Sequence, residues 1–421
     1  MIRICRPIRA LRMFCFLLLP FFAPCASCTD YYVSRLAGND AGPGLSENAP
    51  WKSVGRVNRA SLYAGDRVLF HAGETWRETL RPNSSGAANA PIIFSGYGVG
   101  AKPVLDGSGE VGSGEDGACS EPTGRDGGRK GATWKNLKNN RPCGSREEKP
   151  VRDIAIDDNG QSHVVYDGID LHHIFQGVRI YSWSATIQDI TIQNCNIQTE
   201  ASMRGREVSA GVYANVKRGG ISGVHVRGNH FVPFPERLNH WGIYFVSGVS
   251  HFSIEDNTLG PSGEDGITIW HSAYGEIVRN RGGGDGENTI DVKDSHDVLI
   301  RDNDADLDRE YNIVVHSVDD SKSTYNIRVE HNRCLRGGQG GELSAGIALL
   351  FVQKSSVEDN VVDFAYGSGI LIKDNGAGQQ NWVAGNRLTG NGTGQKLPAI
   401  KLQGDSSARL GANQIEPLPS R

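Results

Sequence analysis

The stretch DGITIWHSAYGEIVRNRGGGDGENTIDVKDSHDVLIRDNDADLDREYNIVVH, residues 265–316, repeats its own pattern at an interval of 23. Ile267, Ile290 and Ile313 lie at that spacing in short β-branched runs. Ile277 and Ile300 are each followed three positions later by an asparagine, Asn280 and Asn303. This second mark continues outward in both directions. Val226–Asn229, Ile254–Asn257, Val329–Asn332, Val357–Asn360 and Val383–Asn386 fit it, and Ile192–Cys195 fits with cysteine in the asparagine place. From Cys195 to Asn386 the marks are 34, 28, 23, 23, 29, 28 and 26 residues apart. A period in the twenties with variable insertions is the pattern of a stacked solenoid. The short runs, punctuated by Gly, Asn and Asp, make it all-β.

In such a coil, side chains alternate inward and outward along each strand. Val212, Ile243, Ile267, Ile290, Ile313, Ile347, Ile370 and Ile400 should face inward. So should the residues two further on, Ala214, Phe245, Ile269, Val292, Val315, Leu349, Ile372 and Leu402. One outward column then reads Tyr213, Tyr244, Thr268, Asp291, Val314, Ala348, Leu371, Lys401. The next reads Asn215, Val246, Trp270, Lys293, His316, Leu350, Lys373, Gln403. A third, before the strand, reads Ser209, His240, Glu264, Glu287, Glu310, Ser344. The central rungs carry no insertion. Glu264, Asp265, Trp270, Glu287, Asp291, Lys293, Glu310 and His316 should therefore form one patch on one face. The asparagine column is structural, with amides hydrogen-bonding from rung to rung.

Composition narrows the function. The first 28 residues read as an export leader: Arg3, Arg6, Arg9 and Arg12 precede an apolar stretch from Phe14 to Ala23, too short to span a bilayer. Lipid attachment at Cys28 is the alternative. The expected location is secreted, periplasmic or at the cell surface. Without the leader the chain has 44 − 4 = 40 basic and 48 acidic residues, a net charge of −8. That disfavours nonspecific nucleic-acid binding, which needs a basic face. Cys119 and Cys143 flank a Gly- and Lys-rich stretch and can pair after export. Cys195 and Cys334 fall at ladder positions, as buried packing residues. The expected organisation is a leader (1–28), a cap with first rungs (29–107), an insertion loop (108–150), the main coil (151–410) and a tail (411–421). No transmembrane segment and a monomer are expected.

The N-terminal segments YYVS (31–34), PWKSVGRVN (50–58), GDRVLFHAGETW (65–76) and PIIFSGYGVGAKPVLDG (91–107) resemble the start of secreted right-handed parallel β-helix proteins of the pectate-lyase-like superfamily. The resemblance implies a right-handed single-chain parallel β-helix. Residues 51–62 would form a short amphipathic helix that covers the first rung. The superfamily holds lyases, hydrolases, epimerases and tailspike-like binders. The Trp-Ile-Asp-His, Asn-Gly-Gly-Glu and Gly-His-Gly motifs of particular families are absent, so the resemblance stops at the superfamily.

Three glutamates in one column repel each other. Two charges about 4.8 Å apart cost roughly 0.9 kcal/mol in water and about 3.5 kcal/mol at an effective dielectric of 20. A cation is expected among them, and Ca²⁺ held by Glu264, Asp265, Glu287, Asp291 and Glu310 is the chosen one. With a metal present, Lys293 can act as a base for β-elimination in an acidic polysaccharide, with His316 and Asp291 beside it. Trp270, Tyr244, Tyr213 and His240 would line sugar subsites, and Arg179 would bind a substrate carboxylate. A calcium-assisted polysaccharide lyase is thus the first expectation. A glycoside hydrolase using two patch carboxylates and a non-catalytic glycan-binding solenoid are the alternatives, with an epimerase behind them.

Overall fold

The computed structural model describes residues 28–107, 154–199, 208–232, 240–318, 323–339, 344–374, 380–392, 396–404 and 408–417, together with the strand pair 119–120 and 135–136. The expected leader, Cys28 apart, and the Cys119–Cys143 pairing lie outside the described side chains. Among the described residues no helix is long and apolar enough to cross a membrane.

Each turn of the chain contributes one strand to each of three parallel sheets. The central turn is representative. Ile267–Trp270 lies in the third sheet, Ala273–Val278 in the first and Arg281–Gly283 in the second; Asn288–Lys293 then returns to the third sheet beside Ile267–Trp270. Among the described residues the sheets have 14, 12 and 10 strands. Parallel neighbours fit a coil because every connection returns in the same direction.

The core follows the expected alternation. Ile243, Ile267, Ile290, Ile313 and Ile347 are fully buried in register, as are Phe245, Ile269, Val292, Val315 and Leu349. Leu402, on the last strand of the third sheet, is 42 % exposed, unlike the earlier members of its column. Cys195 and Cys334 are buried free thiols.

The asparagine column is the expected ladder, at the corner between the first and second sheets. Asn280 Nδ2 donates to Ile254 O at 2.9 Å, and Asn303 Oδ1 accepts from both Asn280 N (2.9 Å) and Asn280 Nδ2 (3.1 Å). The same exchange runs from Asn229 to Asn386, with Cys195 N donating to Asn229 Oδ1 at one end. It continues to Asn413, one step beyond the expected series.

Three expectations shift. The capping helix spans Val54–Asn58, not 51–62. Ser53 caps it, and Trp51 pairs in a bridge with Val33 and stacks on Tyr31 at 4.6 Å. Burying that ring matters more than helical propensity at a site with Gly55 and two valines. The strand that begins at Thr75 ends at Trp76, and Leu80 bridges Ile156. The expected tail is part of the coil, because Gln414–Glu416 pairs with Arg387–Thr389. Asn215 pairs with Ser247, since the register slips after Ala214, and Val246 is the extra residue of that bulge.

Candidate active-site face

The outer face of the third sheet gathers the expected patch. Arg179, Tyr213, Tyr244, Thr268, Asp291 and Val314 stack one per rung, and Trp270, Lys293 and His316 stack beside them. Glu264, Glu287 and Glu310 are joined along their backbones, Glu287 N to Glu264 O and Glu310 N to Glu287 O, both 2.9 Å. Burial, Glu287 and Asp291 raise the Glu310 pKa, while Arg309 opposes them.

Asp265 and Asp291 are the most constrained acids of this face, 3 % and 6 % exposed. Asp265 Oδ2 accepts from Thr268 Oγ1 (2.6 Å) and Trp241 Nε1 (3.3 Å), and its Oδ1 from Asn288 Nδ2 (2.8 Å) and Asn288 N (3.2 Å). Asn288 Oδ1 in turn accepts from Tyr311 N at 3.1 Å. Burial pushes the Asp265 pKa well above the carboxylate range, and the Asp291 charge adds to it; the Thr268 and Asn288 hydrogen bonds act in the opposite sense. His316 Nε2 lies 3.0 Å from Asp291 Oδ1. Among the described residues that oxygen is buried with no hydrogen bond of good geometry.

Aromatic rings flank the acids. Trp241 stacks on Tyr244 at 4.7 Å, and Tyr213 meets Tyr244 edge-on at 6.0 Å. Burial, with Tyr213 and Asp265 adding, pushes the Tyr244 phenol up to about 12. The Lys293 amine sits 5.0 Å over the Trp270 ring, and Trp270 Nε1 donates to Asp294 Oδ2 at 3.1 Å.

One expected sugar contact, His240, is placed otherwise, and Arg179 is on the expected face but already paired. His240 is 7 % exposed and packs against Thr199 of the second sheet, whose hydroxyl meets its Nε2. Burial lowers its pKa to about 4. The corner encloses it because it precedes the outward run of its strand. Arg179 grips Asp157 with both ends of its fork, at 2.7 and 3.3 Å, so its charge is already met. The expected calcium ligands do not fit an ion as they stand. Both Asp265 oxygens are taken by donors, and among the described residues no group of three or more His, Cys, Asp or Glu comes together in a way that would hold a metal.

Sequence reasoning missed a second set of acids inside the same corner. Ser262 N and Oγ both donate to Asp285 Oδ1 at 2.6 Å, and Asp285 N donates to Asp308 Oδ1 at 3.2 Å. Thr289 Oγ1 and Asn312 Nδ2 donate to Asp308 Oδ2 at 2.7 and 2.6 Å. Burial raises Asp285 to about 7 and Asp308 well above its ordinary value. The signal was present: Ser262, Asp285 and Asp308 are 23 residues apart, the interval of the opening repeat.

Three parallel sheets wound in one coil, with a buried asparagine ladder, define a protein of the parallel β-helix class. A family model described as periplasmic copper-binding protein (NosD) matches residues 222–401, less than half of the chain. The residues described here do not fit a copper site any better than a calcium site. Lacto-N-biosidase of Bifidobacterium longum subsp. longum is 25 % identical over 373 residues, 80 % of this chain and 20 % of that protein. The chain thus spans about one fifth of that relative's length. The GH136 lacto-N-biosidase structure from Eubacterium ramulus superposes with a TM-score of 0.58 at 17 % identity, over 93 % of this chain and 68 % of that one. A structure described as a glycoside hydrolase gives a TM-score of 0.52 at 11 % identity, over 92 % and 96 %. These structural likenesses establish the fold.

Proposed function

We propose that this protein hydrolyses a glycosidic bond of a neutral glycan held along the outer face of the third sheet. The Asp265–Asp291 pair carries the reading. Thr268 links the two: its hydroxyl donates to Asp265, and its Cα is the register partner of Asp291. The two carboxyls therefore belong to adjacent rungs, whose strands lie roughly 4.8 Å apart. A separation near 5 Å suits a retaining glycosidase. Asp265, whose pKa burial raises, would serve as the acid by exchanging its long Trp241 contact (3.3 Å) for the leaving oxygen. Asp291, facing His316, would attack the sugar carbon. Trp241, Tyr244 and Trp270 offer ring faces to sugars. The Glu264–Glu287–Glu310 column would repel an acidic polymer, which is why a neutral glycan is favoured over the acidic one first expected. The 25 % identity to a lacto-N-biosidase supports hydrolysis over β-elimination.

The test is product release from a panel of neutral and acidic glycans. Reducing ends should appear without the absorbance of an unsaturated product. Asp265→Asn and Asp291→Asn should each lower turnover by about 10³-fold, the latter with melting unchanged. Lys293→Ala should change turnover by less than about tenfold. An unsaturated product from an acidic polymer, lost in Lys293→Ala, would restore the lyase. Binding without any product would leave a glycan-binding solenoid.

A further inference from the structure

The outer face of the first sheet carries a second concave surface, on another side of the coil from the carboxylate pair. A cavity of about 680 Å³ opens there. It follows the register His225, Ser253, Glu276, Leu299 and Arg328, five rungs in a row. At the strand spacing that is roughly 19 Å, the length of a chain and not of a single small molecule. Gly275 makes room for the core beneath the floor. A Cβ there would come within 2.4 Å of the Phe252 ring, which lies beneath it.

A run of rings, one per rung, begins on one wall at His251 and Tyr274 and continues past the cavity along the same sheet. His251 stacks on Tyr274 at 5.3 Å, Tyr274 meets His296 edge-on at 5.3 Å, and His296 stacks on Tyr325 at 4.7 Å. Tyr274 and Tyr325 are 54 % and 38 % exposed. Tyr274 holds a left-handed backbone, φ 56°, which is uncommon for an aromatic residue. The same conformation recurs at His251 and Asp297, φ 53° and 54°, so the strain is repeated along this rim.

The charges select the ligand. Arg227 and Arg328 share the groove with Glu255, Glu276 and Asp297. A polyanion would meet three carboxylates, and a polycation two guanidiniums. A polyhydroxylated neutral chain can donate to the first and accept from the second. The size is that of a ligand site, and exposed tyrosines give a sugar both a ring and a hydroxyl.

We propose that this groove binds a neutral oligosaccharide chain, as an auxiliary site that holds a polymer while the third-sheet face acts on it. The auxiliary role rests on the hydrolase reading; binding in the groove does not. Affinity electrophoresis and calorimetry with xyloglucan, galactomannan, mixed-linkage β-glucan and polygalacturonate test it. The variants are Tyr274→Ala/Tyr325→Ala and, with exposed positions that spare the fold, Arg328→Ala and Glu276→Gln. Wild type should bind at least one of the neutral polymers. The double variant should weaken that binding about tenfold or more, and Asp291→Asn should not. Hydrolysis of a short chromogenic glycoside should be unchanged in the groove variants. Neutral-polymer binding unaltered in all three variants, no such binding by wild type, or preference for polygalacturonate would each overturn the proposal. Groove-dependent binding by a protein with no turnover would instead sink the hydrolase reading and leave this one standing.

Discussion

Two corners of the same coil stack polar side chains rung upon rung, and they behave differently. At the corner between the first and second sheets, each Asn from Asn229 to Asn386 is a neutral amide with its donors and acceptor matched to its neighbours. At the corner between the second and third sheets, the stacked residues are carboxylates: Asp285 above Asp308 inside, and Asp265 outside. Asp285 Oδ2 is buried with no partner among the described residues. Identical stacking geometry is cheap for an amide, which both donates and accepts. It is costly for a carboxylate, which only accepts and repels its neighbour. The costly corner adjoins the candidate active site. Perturbed acids collect where chemistry needs them.

The largest stability effect should fall on the neutral corner. Asn303→Leu strands the Ile277 carbonyl and the Asn280 N–H in the interior. Chemical denaturation should show a loss of about 3 kcal/mol or more. An effect below about 1 kcal/mol would mean that the ladder is ornament to the core.

The acid corner should answer to pH instead. The folded pKa of Asp285, about 7, lies above the unfolded carboxyl value of about 4. Its stabilising share is complete below the unfolded value and is lost as pH rises through the folded one. Asp285→Asn removes that slope. The melting temperature of the variant relative to wild type should therefore climb between about pH 4 and pH 7. Parallel melting curves at all pH values would erase the contrast between the corners.

The smallest effect is expected from chelation. Because the Asp265 oxygens are already taken by Trp241, Thr268 and Asn288, EDTA should move melting by less than about 1 °C and leave turnover alone. A calcium-dependent rise in either would reinstate an ion among Glu264, Glu287 and Glu310.

Repetition made the fold legible. A side chain in a solenoid meets the residue one period away, so Ile267, Ile290 and Ile313, or Asn280 and Asn303, could be aligned on paper and are neighbours in space. The same logic placed Asp291, Lys293 and His316 on one face. It failed where the period is broken: the bulge at Val246, the short helix after Trp51, and the turn that folds His240 against Thr199.

The sequence by itself determined which residues stack, because register follows from period and alternation alone. Only the tertiary structure decided what each stacked group does. Whether a carboxylate is open to a metal or already held, whether Arg179 is available or bound to Asp157, and whether a histidine is wet or dry depend on side chains from other sheets meeting at a corner. Those encounters are set by how the turns bend, and no one-dimensional repeat encodes them.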